Sequence, residues 1–241
     1  MDRLLVLRGI AESREKAKAV IMAGLVRVDG VMVDKAGCLV PGSAGVSLKE
    51  VPPYVSRGGL KLEAALDHFP LDVKGKLFLD VGASTGGFTD CLLRHGAGKV
   101  IAIDVGYGQL DWRLRQDPRV VVMEKTNARY LKPEALKQPA DGAVIDVSFI
   151  SLKLVIPSVT ALLTKKTAII ALIKPQFEVG KGKVGKGGVV RDPTLHREVI
   201  EDLTSFFETL CWLVKGPIPS PLLGPKGNRE FLIYLERNAD A

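Results

Sequence analysis

Residues 77–89 read LFLDVGASTGGFT, and this stretch restricts the fold more than any other. An apolar run (Leu77, Phe78, Leu79) ends in Asp80. A loop with Gly82, Gly86 and Gly87 follows, and then helix-forming residues. A buried strand that feeds a glycine turn and a helix N-terminus is the unit from which open α/β sheets are built. It brings bare backbone and unpaired N–H groups close to a ligand.

The rest of the chain continues that unit. VSRGGLKLEAALDHF reads as a loop and then a helix. From residue 76 onward, KLFLDVG, VIAIDVG, RVVVMEKTN, GAVIDVSF and TAIIALIKP read as strands. GFTDCLLRHG, LKLVIPSVTALL and TLHREVIEDLTSFFETLCWLV read as helices, the second with Pro157 placed to kink it. A last strand lies within SPLLGPKGNREFLIYLER. Alternation of apolar strands with helices predicts an α/β fold with a parallel sheet covered on both faces.

The first fifty residues have a different pattern. Leu4, Leu5, Leu7 and Ile10 form a short apolar helix face, and Gly9 ends or loosens it. Ser13 is placed to cap a second helix whose buried stripe is Ala17, Val20 and Ile21, with Gly24 at its end. VRVDGVMV then alternates around Asp29-Gly30, the signal of a type I′ hairpin. Arg3, Arg8, Arg14, Lys16, Lys18 and Arg27 stud this segment, which suits the phosphates of a folded RNA as well as plain solubility. The organisation expected is therefore a small α+β domain over 1–50, a stiff proline linker over 51–56, and a large domain over 57–241.

Composition narrows the partner. The net charge of +7 favours a polyanion such as RNA. Cys38, Cys91 and Cys211 form no C-x-x-C pair, and an odd count fits a reducing compartment such as the cytoplasm. Charges interrupt the N-terminal apolar stretch, which speaks against a signal peptide, and no uncharged run is long enough to span a membrane.

In open α/β sheets ligands sit beyond the carboxyl ends of the strands. Polar residues predicted there are Asp80, Asp104, Asn127, Asp146 and Lys174. Asp104 follows Gly82 by twenty-two residues, the place of a carboxylate that holds the ribose of an adenosine cofactor. Ser84 occupies the second glycine position of a dinucleotide fingerprint, which disfavours a pyrophosphate and favours S-adenosylmethionine over NAD. Two rivals share these residues. Residues 82–86 spell G-x-S-x-G, and Ser84, Asp146 and His196 follow in hydrolase order, although no oxyanion segment precedes them. Residues 180–186, GKGKVGK, fit the start of a phosphate-binding loop, but Gly187 stands where Ser or Thr belongs, so a flexible basic loop is the better reading.

The glycine loop, Asp104, Asp146 and Lys174 together resemble the FtsJ-like ribose 2′-O-methyltransferases. Ser13-Arg14, Ala17, Ile21, Gly24, Val26, Val28, Asp29 and Gly30 resemble the S4 RNA-binding domain. Joined, the whole chain is similar to the TlyA family, rRNA 2′-O-methyltransferases that also carry the label hemolysin. The motifs are SRGGLKL (56–62), DVGASTGGFTD (80–90), KTNAR (125–129), DVSFISL (146–152), IKPQFE (173–178), VGKGGVVRD (184–192) and GPKGNREFL (224–232). The resemblance implies a Rossmann-like, mostly parallel methyltransferase sheet with the last strand antiparallel, and a catalytic tetrad of Lys61, Asp146, Lys174 and Glu230, with Glu236 the weaker alternative for the glutamate. It implies a cofactor pocket for S-adenosylmethionine built from Gly82, Ala83, Ser84, Gly86, Gly87, Phe88, Asp104, Asn127 and Asp146. It also implies RNA contacts by Arg3, Arg14, Lys18 and Arg27, with ribosomal RNA or a ribosomal subunit, a cytidine in particular, as the target.

The chemistry suits such a tetrad. A ribose hydroxyl must be aligned with the methyl carbon and must lose its proton as it attacks, and the sulfonium activates the methyl without a metal. Lys174 is expected to accept or steer the proton and Asp146 to orient Lys174, while Glu230 and Lys61 place the ribose. The competing expectations are a membrane-acting hemolysin, for which residues 195–214 offer the best amphipathic helix, and a catalytically silent RNA chaperone.

Overall fold

A computed structural model describes residues 1–49, 53–180, 182–185 and 187–237. The chain forms two compact units, Met1–Pro52 and Pro53–Ala241. Part of the expected linker (51 and 52) lies outside the described residues. Its remainder belongs to the second unit: Tyr54 is buried and bonds Glu63, and the Val55 N–H donates to Asp90 at 2.9 Å.

In the first unit, α1 (Asp2–Leu7) and α2 (Arg14–Met22) precede β1 (Val26–Val28), β2 (Val31–Val33) and β3 (Val46–Leu48). The Ser13 side chain caps α2 by accepting from the Lys16 N–H. Asp29 and Gly30 both have positive φ, as a type I′ turn demands. The sequence reading missed β3. It pairs antiparallel with β1 on the side opposite β2, and Asp29 fastens it by accepting from the Gly45 N–H at 2.7 Å. Leu5, Ala17, Ile21 and Val26 form the small core.

The second unit opens with α3 (Gly58–His68). It continues through β4 (Leu77–Val81), α4 (Gly87–Arg94), β5 (Lys99–Ile103), α5 (Trp112–Gln116), β6 (Val120–Met123), β7 (Ala140–Ile145), α6 (Leu152–Thr160), β8 (Leu163–Ile173), α7 (Pro175–Glu178), α8 (Pro193–Thr209), β9 (Leu213–Pro219) and β10 (Phe231–Arg237). The strands form one sheet in the order β6-β5-β4-β7-β8-β10-β9, parallel except for β10, which runs antiparallel to both neighbours. Side-chain alternation splits the sheet into two cores. Leu79, Ile101, Ile145, Ile169 and Ile233 face α6 and α8, whereas Phe78, Val100, Val144, Ile170 and Tyr234 face α3 and α4.

Two details depart from the sequence reading. The long helix expected to reach Val214 stops at Thr209, Cys211 takes a left-handed turn (φ 62), and the next residues start β9. Asp80 shares its parity with Phe78, so it points beneath α4 and not into the crevice. It is fully buried and accepts from the Thr89 hydroxyl at 2.5 Å.

Candidate active site

The order of the strands decides where the site lies. The chain leaves β4 toward β5 and β6 on one side and returns through β7 and β8 on the other. A crevice therefore opens between the ends of β4 and β7. Gly82 sits in its throat. It has φ +85, and a Cβ there would lie 2.6 Å from the Asp146 carbonyl oxygen. Only glycine lets the two strand ends approach this closely.

Two cavities meet at Gly82, Ser84 and Asp146. The smaller, about 330 Å³, is lined by Lys61, Phe88, Asp146, Lys174, Leu223 and Glu230, among others. The larger, about 530 Å³, runs along Asp104, Gln109, Asn127, Ser148 and Phe149.

Close glycine packing positions Lys61. The start of α3 lies on the start of α4, where a side chain on Gly87 would strike Ser56 and the Gly59 backbone. A side chain on Gly59 would run into the Tyr54 ring. This contact aims α3 so that Lys61 Nζ reaches Glu230 Oε2 at 2.5 Å, across 169 residues of sequence. Glu230 is buried, and its other oxygen has no partner among the described residues.

The second pair comes from register. Phe231 of β10 faces Ile173 of β8, so Glu230 and Lys174 leave the same end of the sheet on adjacent strands. Lys174 Nζ lies 2.6 Å from Asp146 Oδ1 and donates to Ser148 Oγ at 2.9 Å. All four tetrad residues thus line one cavity. Glu236 does not: it stands six residues along β10, roughly 20 Å away at strand rise, and pairs with Lys215.

Most predicted cofactor residues line the crevice. Gly82, Ala83, Ser84, Gly87, Phe88 and Asp146 border the smaller cavity, and Asp104 and Asn127 border the larger. Asp104 accepts from the N–H groups of Ser84 (2.8 Å) and Gly106 (2.7 Å), one at each oxygen. Each oxygen keeps a second lone pair free for a diol. Gly86 is the exception. It borders neither cavity, and its place is dictated by φ +95 and by the Leu110 and Leu114 side chains, which a Cβ would strike.

The rival readings lose their geometry. His196 is buried, bonds the Val190 carbonyl at 2.9 Å through Nε2, packs on Phe231 and borders neither cavity, so it forms no triad with Ser84. In residues 180–186, positions 181 and 186 lie outside the described residues, and no helix opens at the end of the motif. Glu178 of IKPQFE caps α6, accepting from Ser151 Oγ (2.6 Å) and the Leu152 N–H (2.9 Å), and burial pushes its carboxyl up from the ordinary range. No helix among the described residues is long and apolar enough to cross a membrane, and α8 buries Val199, Leu203 and Phe207 against the sheet.

Comparison with known proteins agrees with this geometry. Residues 54–237 match the FtsJ-like methyltransferase family, and residues 2–44 match the S4 domain. A Mycobacterium tuberculosis protein named 16S/23S rRNA (cytidine-2′-O)-methyltransferase TlyA is 47% identical, covering 100% of this chain and 90% of its own. The chain is a TlyA-family, FtsJ-like methyltransferase. Another relative, Hemolysin A of Brachyspira hyodysenteriae, is 40% identical over 97% of this chain and 98% of its own. A solved structure from Streptococcus thermophilus, described as a candidate hemolysin, matches with a TM-score of 0.77 and 46% identity, over 98% of this chain and 87% of that one. The TlyA motifs explain what sequence reasoning missed. Ser148 and Phe149 lie in DVSFISL, and Gly224 and Pro225 in GPKGNREFL; their sequence neighbourhoods signalled a site without signalling their roles.

In the first unit Arg3, Arg14, Lys18 and Arg27 are all exposed. Arg14 is tied to Asp2 through Nε (2.9 Å) and Nη2 (2.7 Å), and Arg27 reaches the Gly30 carbonyl at 2.9 Å. Arg8 serves the fold: it donates to the carbonyls of Ala44 and Gly42.

Proposed function

We propose that this methyltransferase moves the methyl group of S-adenosylmethionine onto a ribose 2′-hydroxyl of ribosomal RNA, at a cytidine, and that its S4 domain holds the RNA through Arg3, Arg14, Lys18 and Arg27. One observation carries the reading. A lysine–carboxylate pair from β8 and β7 and a second pair from α3 and β10 line one cavity, and that cavity opens onto a larger one beside the glycine loop.

The residues fit the cofactor. The larger cavity offers Asp104 for the ribose diol and the apolar sides of Ile103, Val105, Phe149 and Val155 for a flat base. The Asp146 carboxylate, shared by both cavities, favours a cation. S-adenosylmethionine supplies a methyl carbon made electrophilic by a positive sulfur. Lys174 takes the hydroxyl proton at Nζ as the new O–C bond forms, and Asp146 fixes where that amine points. Lys61, anchored by Glu230, donates to a ribose oxygen and so holds the sugar against the crevice. Names of relatives support the choice of rRNA and of cytidine, and the net positive charge supports a polyanion.

The test uses rRNA and intact ribosomal subunits from cells lacking this protein, with radiolabelled S-adenosylmethionine. Label should map to a 2′-O-methylcytidine in one or both substrates. Lys174→Ala and Asp146→Ala should abolish it while circular dichroism stays that of the parent. Wild-type turnover by either variant would refute the assignment.

A further inference from the structure

Two oxygens lie against Lys174 Nζ, and only one belongs to the tetrad. The other is Ser148, two residues past Asp146 on the turn that leaves β7. Lys174 borders the smaller cavity and Ser148 the larger, so their 2.9 Å hydrogen bond bridges the wall between them. We propose that Ser148 is a positioning residue for methyl transfer: together with Asp146 it occupies two of the three directions around Lys174 Nζ and leaves the third to the substrate hydroxyl.

The argument rests on the reading of Lys174 as the proton acceptor, and it follows from the shape of an amine. Beyond its bond to carbon, a free amine has two hydrogens and one lone pair. The hydrogen bond to Ser148 Oγ commits one hydrogen, and the Asp146 carboxylate, 2.6 Å away as an ion pair without a hydrogen bond to Oδ1, attracts the other, which leaves the lone pair in the remaining direction. With Asp146 alone, the group turns about the Cε–Nζ bond and presents a hydrogen to the substrate for part of the time. An acceptor pointing the wrong way costs rate without costing binding.

The turn that carries Ser148 has an unusual backbone. Phe149 takes φ 64, a conformation uncommon for a bulky residue. Its ring lies 4.9 Å from that of Phe177 on α7, the helix that starts directly after Lys174. Phe149 is 89% exposed, so this ring contact marks the two elements as neighbours beside the hydrogen bond without packing them together.

The experiment compares Ser148→Ala, Ser148→Thr and Lys174→Ala with the parent full-length protein. It measures kcat and KM for RNA, S-adenosylhomocysteine binding by calorimetry, and the melting midpoint. Ser148→Ala should lower kcat roughly 2- to 10-fold, the worth of a hydrogen bond between neutral groups, with KM, cofactor-product affinity and melting unchanged. Ser148→Thr, which keeps the hydroxyl, should regain most of the rate. The proposal is overturned if Ser148→Ala turns over like the parent while Lys174→Ala is dead. It is equally overturned if the loss falls on KM, ligand affinity or melting, or if threonine fails to restore the rate. Parental turnover by Lys174→Ala would instead bring down the proton-acceptor reading, and this proposal with it.

Discussion

Glu230→Ala should damage stability as well as chemistry, by an amount the burial of its partner sets. The Glu230 side chain is fully buried, and that of Lys61 is 12% exposed. Truncation leaves the Lys61 ammonium in a poorly solvated place with no counter-charge. Breaking a buried pair from one side costs about 3–5 kcal/mol, and the slight exposure of Lys61 selects the lower end, about 3 kcal/mol. In a unit of this size each kcal/mol moves the melting midpoint by roughly 2–4 °C, so the drop should be roughly 6–12 °C. Lys61→Met alone strands the carboxylate and should cost a similar amount. The double variant Lys61→Met/Glu230→Ala removes both charges and should melt closer to the parent than either single variant. Differential scanning calorimetry of the four proteins completes the cycle. Glu236→Gln is the control, because its partner Lys215 is 40% exposed and such pairs are worth at most about 1 kcal/mol. Additive losses in the double variant, or a Glu230→Ala midpoint equal to that of the parent, would show that the two charges do not depend on each other.

Two further outcomes concern residues behind the site. Burial, aided by the Asp146 and Asp104 carboxylates and opposed by the Thr89 hydroxyl, pushes the Asp80 carboxyl from 3.8 up to about 7. The folded chain therefore keeps a proton that the unfolded chain releases. Asp80's stabilising share is full below about pH 4 and is lost as pH rises to about 7, a change on the order of 4 kcal/mol. Asp80→Asn cannot titrate, so its stability in urea relative to the parent should improve across that window, and a pH-independent difference would refute the shift. Gly86→Ala should destabilise the protein by about 1–3 kcal/mol through its positive φ and the collision with Leu110 and Leu114. Its affinity for S-adenosylhomocysteine should hold; weakened binding at unchanged stability would return Gly86 to the cofactor site.

The legible parts of the fold share a cause. Central parallel strands are buried on both faces, so β4, β5, β7 and β8 are written as apolar runs that only a sheet interior explains. The unread strands lack that signature. β3 is three residues long, and β9, LVKGPIP, sits at the sheet edge, where its prolines forfeit no central ladder bond. The site divided along a similar line. Strand-end position pointed to Asp104, Asn127, Asp146 and Lys174, which border the two cavities, and also to Asp80, which its parity within β4 turns away from them. The glycine loop read as one motif holds glycines with different duties. Gly82 admits the Asp146 backbone, Gly87 admits the start of α3, and Gly86 makes room for two leucines.

Local chemistry along the chain was enough to determine a sheet, a crevice at its carboxyl edge, and the kinds of side chain that gather there, because periodicity, turn residues and strand ends are properties of neighbours. Which glutamate meets Lys61, and which hydroxyl meets Lys174, was decided only in three dimensions. Those partners are chosen by the antiparallel register of β10 on β8 and by the turn after β7, contacts between segments whose separation in sequence carries no mark of their distance in space.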